Sequence, residues 1–209
     1  NVYFSVVPDK NYYLCKKNGY PSLDYEKFIA GMREKTDYMN YIDITGLLSL
    51  EDYYGTDTHW KQENITDVAE KLAKDMGVTI DSTYSINRLP HEFKGVYAGQ
   101  YPLDFPSDTI SYLTNEVTDS CIVNYYDTGK AVRGDMYNMK KAEGKDPYEM
   151  FLSGSTPLAV IESPLAKTDK ELIIFRDSFG GSLAPLLTEG YRKITLIDIR
   201  YVQSAFLKN

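Results

Sequence analysis

A chain of 209 residues suits one α/β domain, or a domain carrying one large insertion. Its hydrophobic share of 43% and charged share of 25% are those of a globular protein with a core, which excludes a disordered or fibrous chain. The net charge of -7 comes without a basic stripe, which argues against a nucleic-acid or anionic-membrane partner.

No run of about 18 apolar residues occurs, so no segment is expected to insert in a membrane. The chain begins at Asn1 with neither Met nor leader, as a processed form would, which leaves secretion open. Cys121 lies in the apolar run Cys121–Val123 and reads as a buried thiol, with a disulfide to Cys15 as the alternative. With Cys15 and two histidines, the sequence is too poor in soft ligands for a structural zinc site, and no metal or other cofactor is expected.

In chain order, Val2–Val7 is β-branched and aromatic and reads as a strand stopped by Pro8. Residues 23–36 read as a helix capped by Ser22. Tyr41–Ile44 reads as a short strand followed by a helical turn at Leu47, Leu48 and Leu50. Ile65, Val68, Ala69, Leu72, Ala73 and Met76 recur at helical spacing, with Asn64 as the expected N-cap and Gly77 just past the end. Residues 78–150 are Tyr-, Gly-, Asp- and Pro-rich with weak periodicity and read as an insertion or cap, apart from a strand at Cys121–Tyr126. An α/β rhythm then returns: strands at Leu158–Ile161, Leu172–Phe175 and Ile194–Ile199, with a helix at Phe179–Thr188. Strands alternating with helices predict a mainly parallel sheet covered on both faces.

In Glu171–Leu186, ELIIFRDSFGGSLAPL, a buried strand runs into Arg176, Asp177 and Ser178. Ser178 therefore stands where a strand ends and a helix begins. That position suits a nucleophile whose oxyanion is held by backbone N–H groups, with Gly180 allowing close approach; it equally suits a plain helix cap. A serine nucleophile needs a base, and histidine is the usual one. In Tyr53–Trp60, YYGTDTHW, His59 lies two residues after Asp57, so one loop can supply base and orienting carboxylate; a surface loop with a packed Trp60 is the plain alternative. His91 has no such carboxylate and reads as a loop residue. Ligands bind at the carboxyl ends of strands in open parallel sheets, so Arg200, after the last strand, is a candidate for substrate or oxyanion contact, or for a salt bridge with Asp198 or Asp177.

The block YYGTDTHW resembles the signature of the DHHW proteins, relatives of bacterial alginate O-acetylation proteins within the SGNH-like hydrolase superfamily. Asp146–Leu158, DPYEMFLSGSTPL, and Phe175–Tyr201 resemble two further blocks in the same order. Asp-x-His before Ser is a circular permutation of the common SGNH order. The resemblance covers roughly residues 1–201. It implies a flavodoxin-like three-layer α/β/α sandwich and a triad of Ser178, His59 and Asp57. It also implies acyl transfer through acyl-Ser178 on a polysaccharide or acetylated glycan outside the cytoplasm, with a membrane-bound acyl donor as a further partner. Thr58 stands where the family often has a second His. Ser153, Gly154 and Ser155 stand where it tends to have Gly-Gly-Asn, which makes Gly154 and Ser155 oxyanion candidates and Ser155 the weaker substitute. The chain is expected to be a single domain, and its stop soon after Arg200 is what a fragment, or a chain relying on a partner, would show. Esterase and O-acetyltransferase are not separable at this level, and a non-catalytic glycan-binding module with the same fold is the alternative. The 19 tyrosines suit sugar stacking or ordinary packing.

Overall fold

The computed structural model describes residues 1–100, 104 and 106–202. Part of the Tyr-rich stretch, residues 101–103 and 105, lies outside the described residues. The chain starts with β1 (Tyr3–Phe4), α1 (Asn11–Asn18), α2 (Tyr25–Lys35) and β2 (Asn40–Tyr41), and β1 pairs with β2 in parallel. α2 is capped by Asp24, whose side chain accepts from Lys27 N–H, and not by Ser22. α1 has no counterpart in the sequence reading, because none of its residues is buried and no apolar stripe marks it. It ends at Gly19, whose φ of 69° is the left-handed cap that glycine takes without strain.

α3 (Thr66–Asp75) is the helix expected from periodicity, and it buries Val68, Ala69, Leu72 and Ala73. Asn64 does not cap it: residues Gln62–Asn64 form a 3-10 turn that leads in through Ile65. Next come β3 (Ser85–Arg88), α4 (Val96–Gln100), β4 (Ser111–Thr114) and α5 (Glu116–Ser120), with β3 and β4 antiparallel. The remaining elements are β5 (Ile122–Tyr125), β6 (Val132–Gly134), α6 (Met139–Ala142), β7 (Leu158–Glu162), β8 (Glu171–Phe175), α7 (Phe179–Leu183) and β9 (Lys193–Ile197). The helix read over Phe179–Thr188 is α7 followed by a 3-10 turn at Ala184–Leu187, with Pro185 near the changeover.

The main sheet has five strands in the order β6-β5-β7-β9-β8. The expectation of a mainly parallel sheet is corrected here. β5 runs antiparallel to β6 and β7, β7 runs antiparallel to β9, and β8 with β9 is the one parallel pair of this sheet. Connection length accounts for the β5–β6 hairpin and permits the parallel β8–β9 pair. A parallel neighbour needs a crossover of about a dozen residues or more. The segment between β8 and β9, with α7 and its 3-10 turn, is long enough. The turn at Asp127–Gly129 closes β5 onto β6 as a hairpin. The fold is therefore mixed α/β around a mixed sheet, and the residues between 78 and 150 supply two of its strands, β5 and β6.

Direction decides what meets at one edge. Leu158, the first residue of β7, pairs with Ile197, the last of β9, while Phe175, the last of β8, also pairs with Ile197. Arg176 N–H donates to Ile197 O and Asp198 N–H to Pro157 O. The turn before β7 and the residues after β8 and β9 therefore converge. One hydrophobic cluster, from Ile42 through Trp60, Ile65 and Phe151 to Leu196, holds the described elements together.

Ile194 is fully buried in β9 and Ile173 is 61% exposed on β8. Ile194→Ala should lower the unfolding free energy by about 2–5 kcal/mol, and Ile173→Ala should change it by about 0.5 kcal/mol or less, as read by urea denaturation. Equal costs would contradict this assignment of faces.

Candidate active site

Ser178 follows β8 at the start of α7 but makes no capping hydrogen bond. Asp177 caps instead: its Oδ1 accepts from Phe179 N–H at 3.0 Å. The Ser178 hydroxyl is thereby left to His59, with Oγ 2.7 Å from Nε2. On the other side of the ring, Nδ1 lies 2.5 Å from Asp57 Oδ1. An ionised carboxylate can only accept, so Nδ1 carries the proton and Nε2 accepts from Ser178 Oγ–H. The structure brings Ser178, His59 and Asp57 into one chain of hydrogen bonds.

Asp57 is 1% exposed. Burial by itself would raise its pKa, but hydrogen bonds from the His59 side chain, His59 N–H and Val96 N–H, with the His59 charge, outweigh it and hold the carboxyl below the ordinary value. Val96 N–H donates to Oδ2 at 3.0 Å. Gly95 makes that approach feasible, since a Cβ there would sit 2.3 Å from Asp57 Cβ and Oδ2. The preceding loop is fixed by a second carboxylate: Asp108 accepts from Gly55 N–H at 2.9 Å, Thr56 N–H at 2.7 Å and Thr56 Oγ1 at 2.6 Å. Lys10 Nζ donates to Tyr54 O at 2.7 Å. Burial lowers the Lys10 pKa, opposed by the charges of Asp108 and Asp57.

The His59 ring stacks on Tyr148 with centroids 3.8 Å apart and planes 12° apart, and Phe179 lies 5.0 Å away. Ser182 ties the surroundings together. Its Oγ accepts from Trp60 Nε1 at 2.8 Å and lies 2.7 Å from Tyr148 Oη, and its carbonyl accepts from Gln62 Nε2 at 2.7 Å. Trp60 is thus packed and hydrogen-bonded under α7, on the strand-like pairing Tyr53–Trp60 that carries His59.

The turn before β7 is unusual. Leu152, Ser153 and Gly154 have φ of 48°, 57° and 69°, a left-handed run that costs a non-glycine residue energy. At Gly154 a Cβ would also come within 2.8 Å of Glu149 Cβ and Cγ. Ser153 is steadied by Asn138 Nδ2, 3.0 Å from its Oγ. Gly154 N–H is engaged with Phe151 O at 3.1 Å, so of the oxyanion candidates it is not a spare donor. Ser155 is exposed, and neither its hydroxyl nor its N–H bonds to a described residue. Gly180 gives room to Arg176, whose Cβ a Gly180 Cβ would meet at 2.6 Å.

Arg200 emerges on the Ser178 edge, but the structure places its guanidinium on Asp198. Nε donates to Oδ1 at 2.9 Å and NH2 to Oδ2 at 2.6 Å. Burial would raise the Asp198 pKa, but Arg200 outweighs it and holds the carboxyl low. Of the two readings of Arg200, the structure shows the salt bridge with Asp198, because a buried carboxylate two residues away takes both donors. His91 Nε2 lies 2.9 Å from Ala142 O, at an open cleft of about 340 Å³ between residues 91–94 and 142–147 that does not include Ser178 or His59. Cys15 and Cys121 are free and partly exposed. Among the described residues no group of three His, Cys, Asp or Glu side chains is arranged to hold a metal, and no helix is long and apolar enough to cross a membrane.

Of the residues that matter here, sequence reasoning missed Tyr148, Gly95, Val96, Asp108 and Ser182. Tyr148 sat in a quoted block, but stacking on His59 leaves no mark in local spacing. Two outcomes follow. Gly95→Ala should destabilise the protein by about 1–3 kcal/mol through overpacking against Asp57, measured by thermal melting. Because the folded Asp57 pKa is depressed, its stabilising contribution is present above the unfolded value of about 3.9 and is lost as pH falls through the folded value. Asp57→Asn should therefore flatten the acid limb of the urea midpoint below about pH 5, and an unchanged slope would refute the coupling.

No family model matches the chain, and no curated protein matches it in sequence. Solved structures do. A DHHW family protein from Eubacterium siraeum DSM 15702 superposes with a TM-score of 0.70 at 21% identity, over 100% of this chain and 73% of that one. Bacillus cereus PatB1 superposes with a TM-score of 0.76 at 15% identity, over 100% of this chain and 78% of PatB1. PatB1 with a sulfonyl adduct gives 0.76 at 17% identity, over 97% of this chain and 73% of that one. At such identities the likeness speaks for architecture: this chain has the fold of the DHHW family protein and of PatB1.

Proposed function

We propose that the protein is a serine acyl-transfer enzyme acting outside the cytoplasm on an O-acetylated polysaccharide, with Ser178 as nucleophile, His59 as general base and acid, and Asp57 as the carboxylate that orients His59. The observation that carries this reading is the release of the Ser178 hydroxyl from capping, a duty Asp177 takes, so that it bonds to His59 at 2.7 Å. The DHHW resemblance supports the glycan substrate and the extracytoplasmic setting.

In the first half-reaction, Ser178 Oγ attacks an acetyl ester carbonyl and its proton passes to His59 Nε2. The tetrahedral intermediate collapses, the bond from the acetyl carbon to the leaving group breaks, and His59 returns the proton to that leaving group, the sugar oxygen in an esterase or the carrier group of the acyl donor in a transferase. Acetyl-Ser178 then reacts with a hydroxyl, from water in an esterase or from an acceptor sugar in a transferase, whose proton again passes through His59. Asp57 stays ionised and stabilises the imidazolium formed in each half. A membrane-bound protein that hands over the acetyl group fits the transferase branch.

A sulfonyl reagent is the natural first probe, since a protein of the same fold has been captured with a sulfonyl adduct. Wild-type protein should hydrolyse p-nitrophenyl acetate and take up one sulfonyl group on Ser178, located by peptide mass spectrometry. Ser178→Ala should lose both activities with a melting temperature close to wild type, because no cap bond is lost. Asp57→Asn should lower kcat by about 10³–10⁴ while leaving Ser178 in place. Glycan binding without turnover or labelling would instead favour the non-catalytic module.

A further inference from the structure

The buried side chain nearest in sequence to Ser178 has no part in the proton relay. Arg176 is 7% exposed. Its NH2 group donates to Gly154 O at 2.9 Å, to Thr156 Oγ1 at 3.3 Å and to Thr156 O at 3.4 Å, and NH1 donates to Asp177 O at 3.3 Å. One guanidinium therefore ties the left-handed turn before β7 to the segment that carries the nucleophile. Its stem fills the space that Gly180 leaves open, and on the neighbouring side Gly181 admits Phe151 O, 3.2 Å from where a Cβ would be. The arrangement is costly: the arginine is desolvated and its Nε has no partner among the described residues. Burial of a charge with an unmet donor is poor value for stability alone.

The consequence lies in the peptide between Gly154 and Ser155. No peptide bond among the described residues is cis. In a trans peptide the C=O and the following N–H point in opposite directions. Gly154 O accepts from Arg176 at 2.9 Å and from Thr156 N–H at 2.9 Å; so anchored, it leaves Ser155 N–H facing away from Arg176, and that N–H donates to no described residue. Ser178 N–H likewise has no partner among the described residues. We infer that Arg176 is a positioning residue that sets the Gly154–Ser155 peptide so that Ser155 N–H serves as a backbone donor to the oxyanion formed at Ser178. On this account the donor at position 155 is the main chain, which is why a serine there suffices. The inference rests on the acyl-transfer reading above and adds to it a residue outside the triad.

The test measures kcat and KM for p-nitrophenyl acetate in wild type and Arg176→Lys, with kcat normalised to the fraction of Ser178 labelled by the sulfonyl reagent at completion. Loss of an oxyanion donor typically costs about 10²–10³ in rate, so normalised kcat should fall by about 10²-fold with KM changed by no more than about twofold and the pH–rate midpoint unmoved. A merely structural arginine would reduce the labelled fraction and leave normalised kcat at the wild-type value, and that result overturns the inference. Should Arg176→Lys not fold, Thr156→Val removes one acceptor of the same guanidinium. A fall of about tenfold in normalised kcat supports the inference, and an unchanged value refutes it. Amide resonances provide a readout independent of turnover. The Ser155 and Thr156 cross-peaks should shift in Arg176→Lys while those of α3 stay in place, and unshifted peaks overturn the role of Arg176. Wild-type protein with neither turnover nor labelling would count against the acyl-transfer reading, whereas the resonances still decide whether Arg176 holds the turn.

Discussion

The parallel pairing of β8 with β9, extended past the strand end by Arg176 N–H on Ile197 O, is the constraint on which the candidate site depends. It fixes where β8 stops and therefore where Ser178 begins. β7 runs against β9, so its first residue rather than its last arrives at that edge, bringing the turn of Leu152–Thr156 with it. An all-parallel sheet would deliver the end of β7 there, and the left-handed turn would lie at the opposite edge. The antiparallel strand is thus what allows a guanidinium after β8 to bond to carbonyls before β7.

The base arrives from elsewhere in the chain, 119 residues before Ser178. Its loop is anchored separately, by Asp108 on Gly55 and Thr56, by Val96 N–H on Asp57 and by Trp60 on Ser182. All but the Gly55 contact involve buried or half-buried polar groups that would be costly to leave unpaired, so the loop has few alternative arrangements. Tyr148 adds a flat apolar wall against the imidazole. Orientation of the ring is shared between a carboxylate, which sets the tautomer, and an aromatic face, which sets the plane.

Two arginines near the edge do different work. Arg200 grips Asp198 in a planar fork while half of its side chain stays in solvent. Arg176 is buried and bonds chiefly to carbonyl oxygens, which carry no compensating full charge, although Asp198 and Asp177 lie close enough to offset part of its desolvation. The half-exposed arginine steadies the end of β9. The buried one transmits the position of β8 to a strained turn.

Local chemistry made several features legible from sequence alone. The period of Ile65–Met76 marks α3 because one face must be buried, and the apolar runs at 158–161, 172–175 and 194–199 mark β7, β8 and β9. Asp57, His59 and Ser178 stand out because few residue types can share a proton relay, and only two histidines were on offer. Sheet direction was not legible: a buried strand reads the same whichever way its neighbour runs, and only the lengths and routes of the connections decide it. Nor could the sequence assign the cap, since Asp177 and Ser178 are both good caps and the choice depends on His59 arriving from the far end of the chain. The roles of Tyr148, Gly95 and Arg176 belong to tertiary structure for the same reason. Each acts on a group distant in sequence, through a stacking plane, a missing Cβ or a carbonyl that exists as a partner only once the three segments have met at one edge of the sheet.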